Sequence, residues 1–127
     1  MARILIVDDD LDILKMADKI LSHSGHLVIA TDNALRALDL LEYTAIDLLI
    51  SDANMPLYSG FELIKTIRSN PKYENLTVAM LTSLRERKDV EKAVKLGVND
   101  YIVKPIDPLL LTQKINTILQ KRQPEQK

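Results

Sequence analysis

The chain has 127 residues, enough for one domain that buries a substantial core. Hydrophobic residues make up 46% and charged residues 28%, which excludes a disordered chain, and a net charge of -1 supplies no basic field for direct binding of nucleic acid or an anionic membrane. The absence of cysteine excludes a disulfide framework and a thiolate metal site, and suits a reducing cytosol.

The first apolar run, Ile4-Leu5-Ile6-Val7, is cut off by acids after four residues. That is too short for a secretion signal, and no stretch approaches the ~18 apolar residues of a membrane span, so a soluble cytoplasmic protein is expected. A short continuous run between polar residues predicts a strand buried on both faces of a parallel sheet. Similar runs follow at Leu27-Val28-Ile29-Ala30, Leu48-Leu49-Ile50, Val78-Ala79-Met80-Leu81 and Tyr101-Ile102-Val103. Helical stripes alternate with them. Ile13, Leu14, Ala17, Ile20 and Leu21 share one face of a first helix that Gly25 stops. Ala34, Ala37, Leu38 and Leu41 mark a second helix, and Phe61, Ile64 and Ile67 a third that ends before Asn70-Pro71. Val90, Ala93 and Val94 mark a fourth, stopped by Gly97. The fifth begins near Asp107-Pro108 and carries Leu111, Ile115, Ile118 and Leu119. Five strand-helix units predict an α/β fold, a doubly wound five-stranded parallel sheet with right-handed crossovers and helices on both faces. The domain is expected to occupy residues 1–122. Residues 123–127 read as a polar tail or the start of a linker.

In such sheets the ligand site forms beyond the carboxyl ends of the strands, where neighbouring connections leave on opposite faces. The strand ends here are polar: Asp8-Asp9-Asp10, Ser51-Asp52, Thr82-Ser83 and Lys104-Pro105. Each has an ordinary explanation when taken alone, since acids cap helices, an Asp ends a strand in a turn, Thr suits strands and Lys suits surfaces. Their convergence from four strand ends points instead to a site. Carboxylates of Asp8, Asp9 and Asp52 held within a few Å repel one another, and a hard divalent cation relieves them; Mg²⁺ takes oxygen ligands and keeps positions for water and phosphate. Three carboxylates against Mg²⁺ and the Lys104 ammonium give a formally neutral site, ready for a phosphoryl group stabilised by the cations and the Thr82 hydroxyl, with Asp52 left as nucleophile.

At these residues the chain resembles the receiver domain of two-component response regulators, over roughly residues 3–122. The likenesses are Ile-Val-Asp-Asp at 6 to 9, Ser-Asp-Ala-Asn-Met-Pro at 51 to 56, Gly60-Phe61-Glu62-Leu63, Leu-Thr-Ser at 81 to 83, and Lys104-Pro105. The resemblance implies a flavodoxin-like (βα)5 fold with strand order 2-1-3-4-5. It implies that Asp52 accepts phosphate from a sensor histidine kinase or phosphotransfer protein, and that Asp8, Asp9, Asp52 and the backbone carbonyl of Asn54 hold Mg²⁺. Lys104 and Thr82 would stabilise the phosphoryl group with the backbone of Ser83, and the bond before Pro105 would be cis. Thr82 and Tyr101 would be the switch residues that remodel the face of the fourth helix, fifth strand and fifth helix for a downstream target, a fused output domain or a second copy. Ser59 stands where the family often has Asp, and the apolar Leu84 stands where many members carry a polar group that tunes phosphoryl lifetime with the Asn54 position. His23 and His26, flanking Gly25, are expected to face solvent.

Three other readings compete. A hydrolase of the haloacid dehalogenase type wants a second carboxylate two residues after its nucleophile, where this chain has Asn54, and the chain leaves little room for a substrate cap. A flavodoxin-like FMN carrier wants a Ser/Thr/Gly-rich phosphate loop, which three glycines and an acidic first loop do not supply. A receiver-like scaffold that works unphosphorylated would not need the intact set of Asp8, Asp9, Asp52, Thr82 and Lys104. The resemblance implies a phosphoacceptor that promotes its own phosphorylation and dephosphorylation, with no separate substrate.

Overall fold

The computed structural model describes residues 1–83 and 87–121; Leu84 and the tail 123–127, singled out above, lie outside the described residues. The five apolar runs form the strands β1 (Arg3–Val7), β2 (Leu27–Thr31), β3 (Leu48–Asp52), β4 (Thr77–Thr82) and β5 (Asp100–Val103). Between and after them lie helices α1 (Leu11–His23), α2 (Ala34–Tyr43), α3 (Gly60–Arg68), α4 (Arg87–Lys95) and α5 (Pro108–Lys121). All strand pairings are parallel and the order is β2-β1-β3-β4-β5, a doubly wound sheet of the expected order.

Strand periodicity divides the core into two layers. Ile4 and Ile6 of β1, with Leu48, Ile50, Ala79, Leu81 and Ile102, face α1 and α5. Leu5, Val7, Leu49, Val78 and Met80 face the other way, against α2, α3 and Ala93 of α4. The central strands β1, β3 and β4 are buried on both faces, as their unbroken apolar runs require, apart from Arg3. The strands β2 and β5 depart from that expectation: they form the two sheet edges, their patterns are mixed, and Leu27 and Val103 are 46% and 42% exposed. An apolar run alone does not distinguish an edge from a centre. Val94, placed by periodicity on the apolar stripe of α4, is likewise exposed.

Local signals set the helix ends. The Asp10 side chain caps α1 by accepting from the backbone N–H of Asp12 and Ile13, and Asn33 caps α2 through Arg36 N–H. Ser59 and Glu62 form a reciprocal capping box at the start of α3. Gly25 and Gly97 follow α1 and α4 at φ +93° and +85°, the left-handed geometry that ends helices. Between α3 and β4 runs a 3-10 turn, Pro71–Tyr73, that the apolar pattern does not reveal. His26 corrects another expectation. It is half-buried, and its Nδ1 accepts the backbone N–H of Ala2 at 3.1 Å, so it braces the start of β1.

No helix among the described residues is long and apolar enough to cross a membrane.

Candidate functional site

The strand order fixes where a site can form. The chain leaves β1 into α1 on one face of the sheet and leaves β3 into α3 on the other, so a crevice opens between the carboxyl ends of these neighbours. Asp8 and Asp9 follow β1, Asp52 ends β3, Thr82 ends β4, and Lys104 follows β5. Asp8 is fully buried, Asp52 is 6% exposed and Thr82 is 6% exposed. Oxygens of Asp8, Asp9 and Asp52 lie within 4.8 Å of one another, with Asp9 on the exposed side.

Backbone pairing carries each group into place. Asp8 N–H donates to Thr31 O at 3.2 Å, and the Asp8 Oδ1 accepts Asp10 N–H at 2.9 Å. One acid thus orders the loop that delivers the next. Ala53 N–H donates to Leu81 O at 3.0 Å, which ties the loop after Asp52 to β4, and Lys104 N–H donates to Thr82 O at 2.8 Å, which holds the end of β5 level with that strand. The Lys104-Pro105 bond is cis.

The electrostatics follow from this crowding. The Lys104 ammonium sits 3.0 Å from Asp8 Oδ2 and 3.4 Å from Asp52 Oδ1, one cation between two buried acids. Burial first, and then the neighbouring Asp8 charge, push the Asp52 carboxyl from 3.8 up to about 6, against the opposing pull of Lys104 and the Asn54 N–H. On Lys104 burial is the largest single influence and acts downward, but the two carboxylates together outweigh it and raise the ammonium pKa. Asp8 Oδ2 receives no well-directed hydrogen bond among the described residues, only the ion pair. A buried, under-satisfied carboxylate oxygen beside two further carboxylates is a donor set suited to a hard cation, so the residues fit Mg²⁺.

Of the remaining residues singled out by the sequence, Asn54 and Ser83 adjoin this cluster in the chain, and Tyr101 and His23 lie apart from it. Asn54 and Ser83 are exposed beside the ends of β3 and β4. Tyr101 sits in β5, half-buried against the α2-α3-α4 layer, with the Lys114 ammonium 5.7 Å from its ring centre. His23 is exposed at the end of α1 and takes no part. Gly60 has a positioning role that its place in the sequence pattern does not reveal. A Cβ there would lie 1.8 Å from the Asp52 carbonyl oxygen, while Gly60 N–H donates to Ala53 O at 2.9 Å. The start of α3 is therefore pressed against the backbone of the acid-bearing loop, and only glycine allows that approach.

Comparison with known proteins bears on the family and the fold. Residues 4–116 match the family model of the response regulator receiver domain. A chemotaxis protein CheY homolog of Campylobacter jejuni is 36% identical over 119 residues, covering 92% of both chains. The structure of the chemotaxis response regulator CheY4 of Vibrio cholerae superposes with a TM-score of 0.88 at 30% identity, covering 93% of this chain and 98% of that one. A CheY-like receiver domain protein from Methanospirillum hungatei gives a TM-score of 0.90 at 29% identity, covering 98% of each. With a family model matched over most of the chain and relatives aligned along nearly their whole length, this chain belongs to the response regulator receiver domain family.

Proposed function

We propose that this chain is a phosphorylation switch in which Asp52 accepts a phosphoryl group from a phosphohistidine on a sensor kinase or phosphotransfer protein. The observation that carries the reading is the buried pair of Asp8 and Asp52 sharing one lysine, with Asp9 completing an oxygen cluster. Asp8, Asp9, Asp52 and the Asn54 carbonyl would hold Mg²⁺, which when bound neutralises the acids and polarises the phosphoryl oxygens. The Asp52 carboxylate oxygen attacks phosphorus as the bond to the donor nitrogen breaks, and the new acyl phosphate retains Asp52 as its anchor. The Lys104 ammonium transfers its contact from the carboxylate to a phosphoryl oxygen. The Thr82 hydroxyl and the Ser83 N–H donate to the other oxygens, work that is mainly charge stabilisation by groups already in place. The protein turns over no separate substrate and works in the cytoplasm.

The added charge of about -1.5 to -2 draws donors inward and biases a two-state element. Thr82 and Tyr101 are the residues placed to respond, and the face of α4, β5 and α5 is the output surface for a downstream protein, a fused output domain or a second copy. A cavity of about 470 Å³ between β5 and α5, lined by Val103, Pro105, Leu110 and Lys114 among others, lies on that surface. The exposed Leu110 gives it apolar area that a partner would cover.

The test is chemical labelling with a small acyl phosphate and Mg²⁺, read as the intact-mass gain of one phosphoryl group. Wild type should label, whereas Asp52→Asn or excess chelator should abolish it. Full labelling of Asp52→Asn would show that another residue is the acceptor.

A further inference from the structure

Helix α4 is held unlike its neighbours. Helices α1, α2, α3 and α5 each bury three or more side chains, whereas only Ala93 is buried among the described side chains of α4. Little apolar area fixes its position, so specific ties must. Among the described residues one tie lies midway, where the Lys92 ammonium stands 4.3 Å from the centre of the Phe61 ring. Another is at the C-terminal end and converges on a single side chain.

Arg68, the last residue of α3, is half-buried and spreads its guanidinium over three acceptors. Its Nε and Nη2 donate to the Gly97 carbonyl at 3.1 and 2.9 Å, its Nη1 to the Tyr73 carbonyl at 3.0 Å, and its Nη2 also to Asn99 Oδ1 at 3.3 Å. Asn99 Oδ1 in turn accepts Val78 N–H at 2.8 Å, and Asn99 N–H donates to Val78 O at 2.7 Å. The end of α4 is thereby joined to α3, to the 3-10 turn and to the first part of β4. Gly97 is the residue whose left-handed backbone ends α4, and Val98 N–H reaches back to Ala93 O at 3.4 Å. A cation bound twice to a carbonyl at this point also complements the negative end of the helix dipole. The opposite end of α4, Arg87, follows Thr82 in the chain by five residues.

We propose that Arg68 is a positioning residue that pins the C-terminal end of α4, so that the helix pivots about Gly97 when its other end is drawn by Thr82 toward a phosphoryl group. The pinning stands on the geometry of this chain alone; the pivot rests on the phosphoacceptor reading. A lysine cannot reproduce the pin, because one ammonium cannot span the Gly97, Tyr73 and Asn99 oxygens in the plane of a guanidinium.

The test is site-resolved amide hydrogen exchange on the full chain, comparing wild type, Arg68→Ala and Arg68→Lys, first in chelator and then with Mg²⁺ and beryllofluoride. In chelator, both variants should exchange on the order of tenfold faster at Leu96, Gly97 and Val98, with less than about twofold change in β1 and β3. Unchanged rates at residues 96–98, or an equal rise in every element, would overturn the pin; Asn99→Ala, which removes one shared acceptor, reads the same end if the arginine variants fold poorly. With beryllofluoride, wild type should change protection at residues 87–90 and keep it at 96–98, while Arg68→Ala changes at both ends. Equal change at both ends of the wild-type helix would overturn the pivot. No change anywhere in wild-type α4 while ¹⁹F NMR shows beryllofluoride bound would overturn the pivot alone, whereas no bound beryllofluoride in wild type would count against the phosphoacceptor reading; the pin stands or falls on the chelator data in either case.

Discussion

Replacing Asp52 by asparagine should stabilise the metal-free protein above pH 6. In the folded chain the Asp52 carboxyl titrates at about 6, against 3.8 when exposed, because burial and Asp8 disfavour its charge more than Lys104 and Asn54 favour it. A raised carboxyl pKa means that the folded state binds the proton more tightly, so the penalty of ionisation is absent below about pH 4, grows between pH 4 and 6, and is complete above. A shift of about two units corresponds to roughly 3 kcal/mol, or on the order of 10 °C in Tm for a domain of this size. Asparagine removes the charge, keeps the shape and leaves Lys104 its contact with Asp8. Urea denaturation in chelator at pH 4, 5, 6, 7 and 8 measures the difference. The two proteins should be about equally stable at pH 4, with the variant ahead by roughly 3 kcal/mol at pH 8. Adding Mg²⁺ should close the gap by stabilising wild type. A variant no more stable than wild type at pH 8, or a gap that does not vary with pH, would show that ionised Asp52 carries no such penalty in the fold.

Gly60→Ala should be severely destabilising, by about 3 kcal/mol or more in denaturant, and should weaken labelling of Asp52, because the new Cβ cannot share space with the Asp52 carbonyl. Lys104→Met should cost about 2 kcal/mol in chelator at pH 8, since it strips the shared cation from Asp8 and Asp52, and less at pH 4, where Asp52 is neutral; a pH-independent loss would count against the shared-cation account. Leu57 stands at φ +71° and is fully exposed, so Leu57→Asn should raise stability by about 0.5–1 kcal/mol in the same assay, as it relieves left-handed backbone without losing buried area.

Much of the architecture is readable from the sequence because it rests on local patterns. Ile4 to Val7 is an unbroken apolar run because each residue meets one helix layer or the other, and Gly25 and Gly97 stop helices through a property of glycine itself. The acids, Thr82 and Lys104 can be gathered into one site because parallel strands bring their carboxyl ends to the same edge. What the alternation of elements does not encode is order across the sheet: the edge position of β2, with Leu27 exposed, follows from pairing partners far apart in the chain. The same limit hides the role of Gly60, whose requirement comes from the carbonyl of Asp52, and of Arg68, whose acceptors lie up to 31 residues away. His26 departs from its solvent-facing expectation for a similar reason, since its partner is the backbone of Ala2. Leu57 gives no signal at all, because leucine is a poor choice for left-handed backbone and sequence patterns predict the common choice.

The claim at the centre of this account is that acids from two strand ends gather around a divalent ion so that one of them can carry phosphate. A crystal of the protein grown with Mn²⁺ and beryllofluoride tests it directly through the anomalous signal of the metal. One strong peak coordinated by Asp8, Asp9 and Asp52 is expected, with beryllofluoride on the Asp52 carboxylate and Lys104 turned to a fluorine. A well-ordered site with no metal between Asp9 and Asp52 would contradict it.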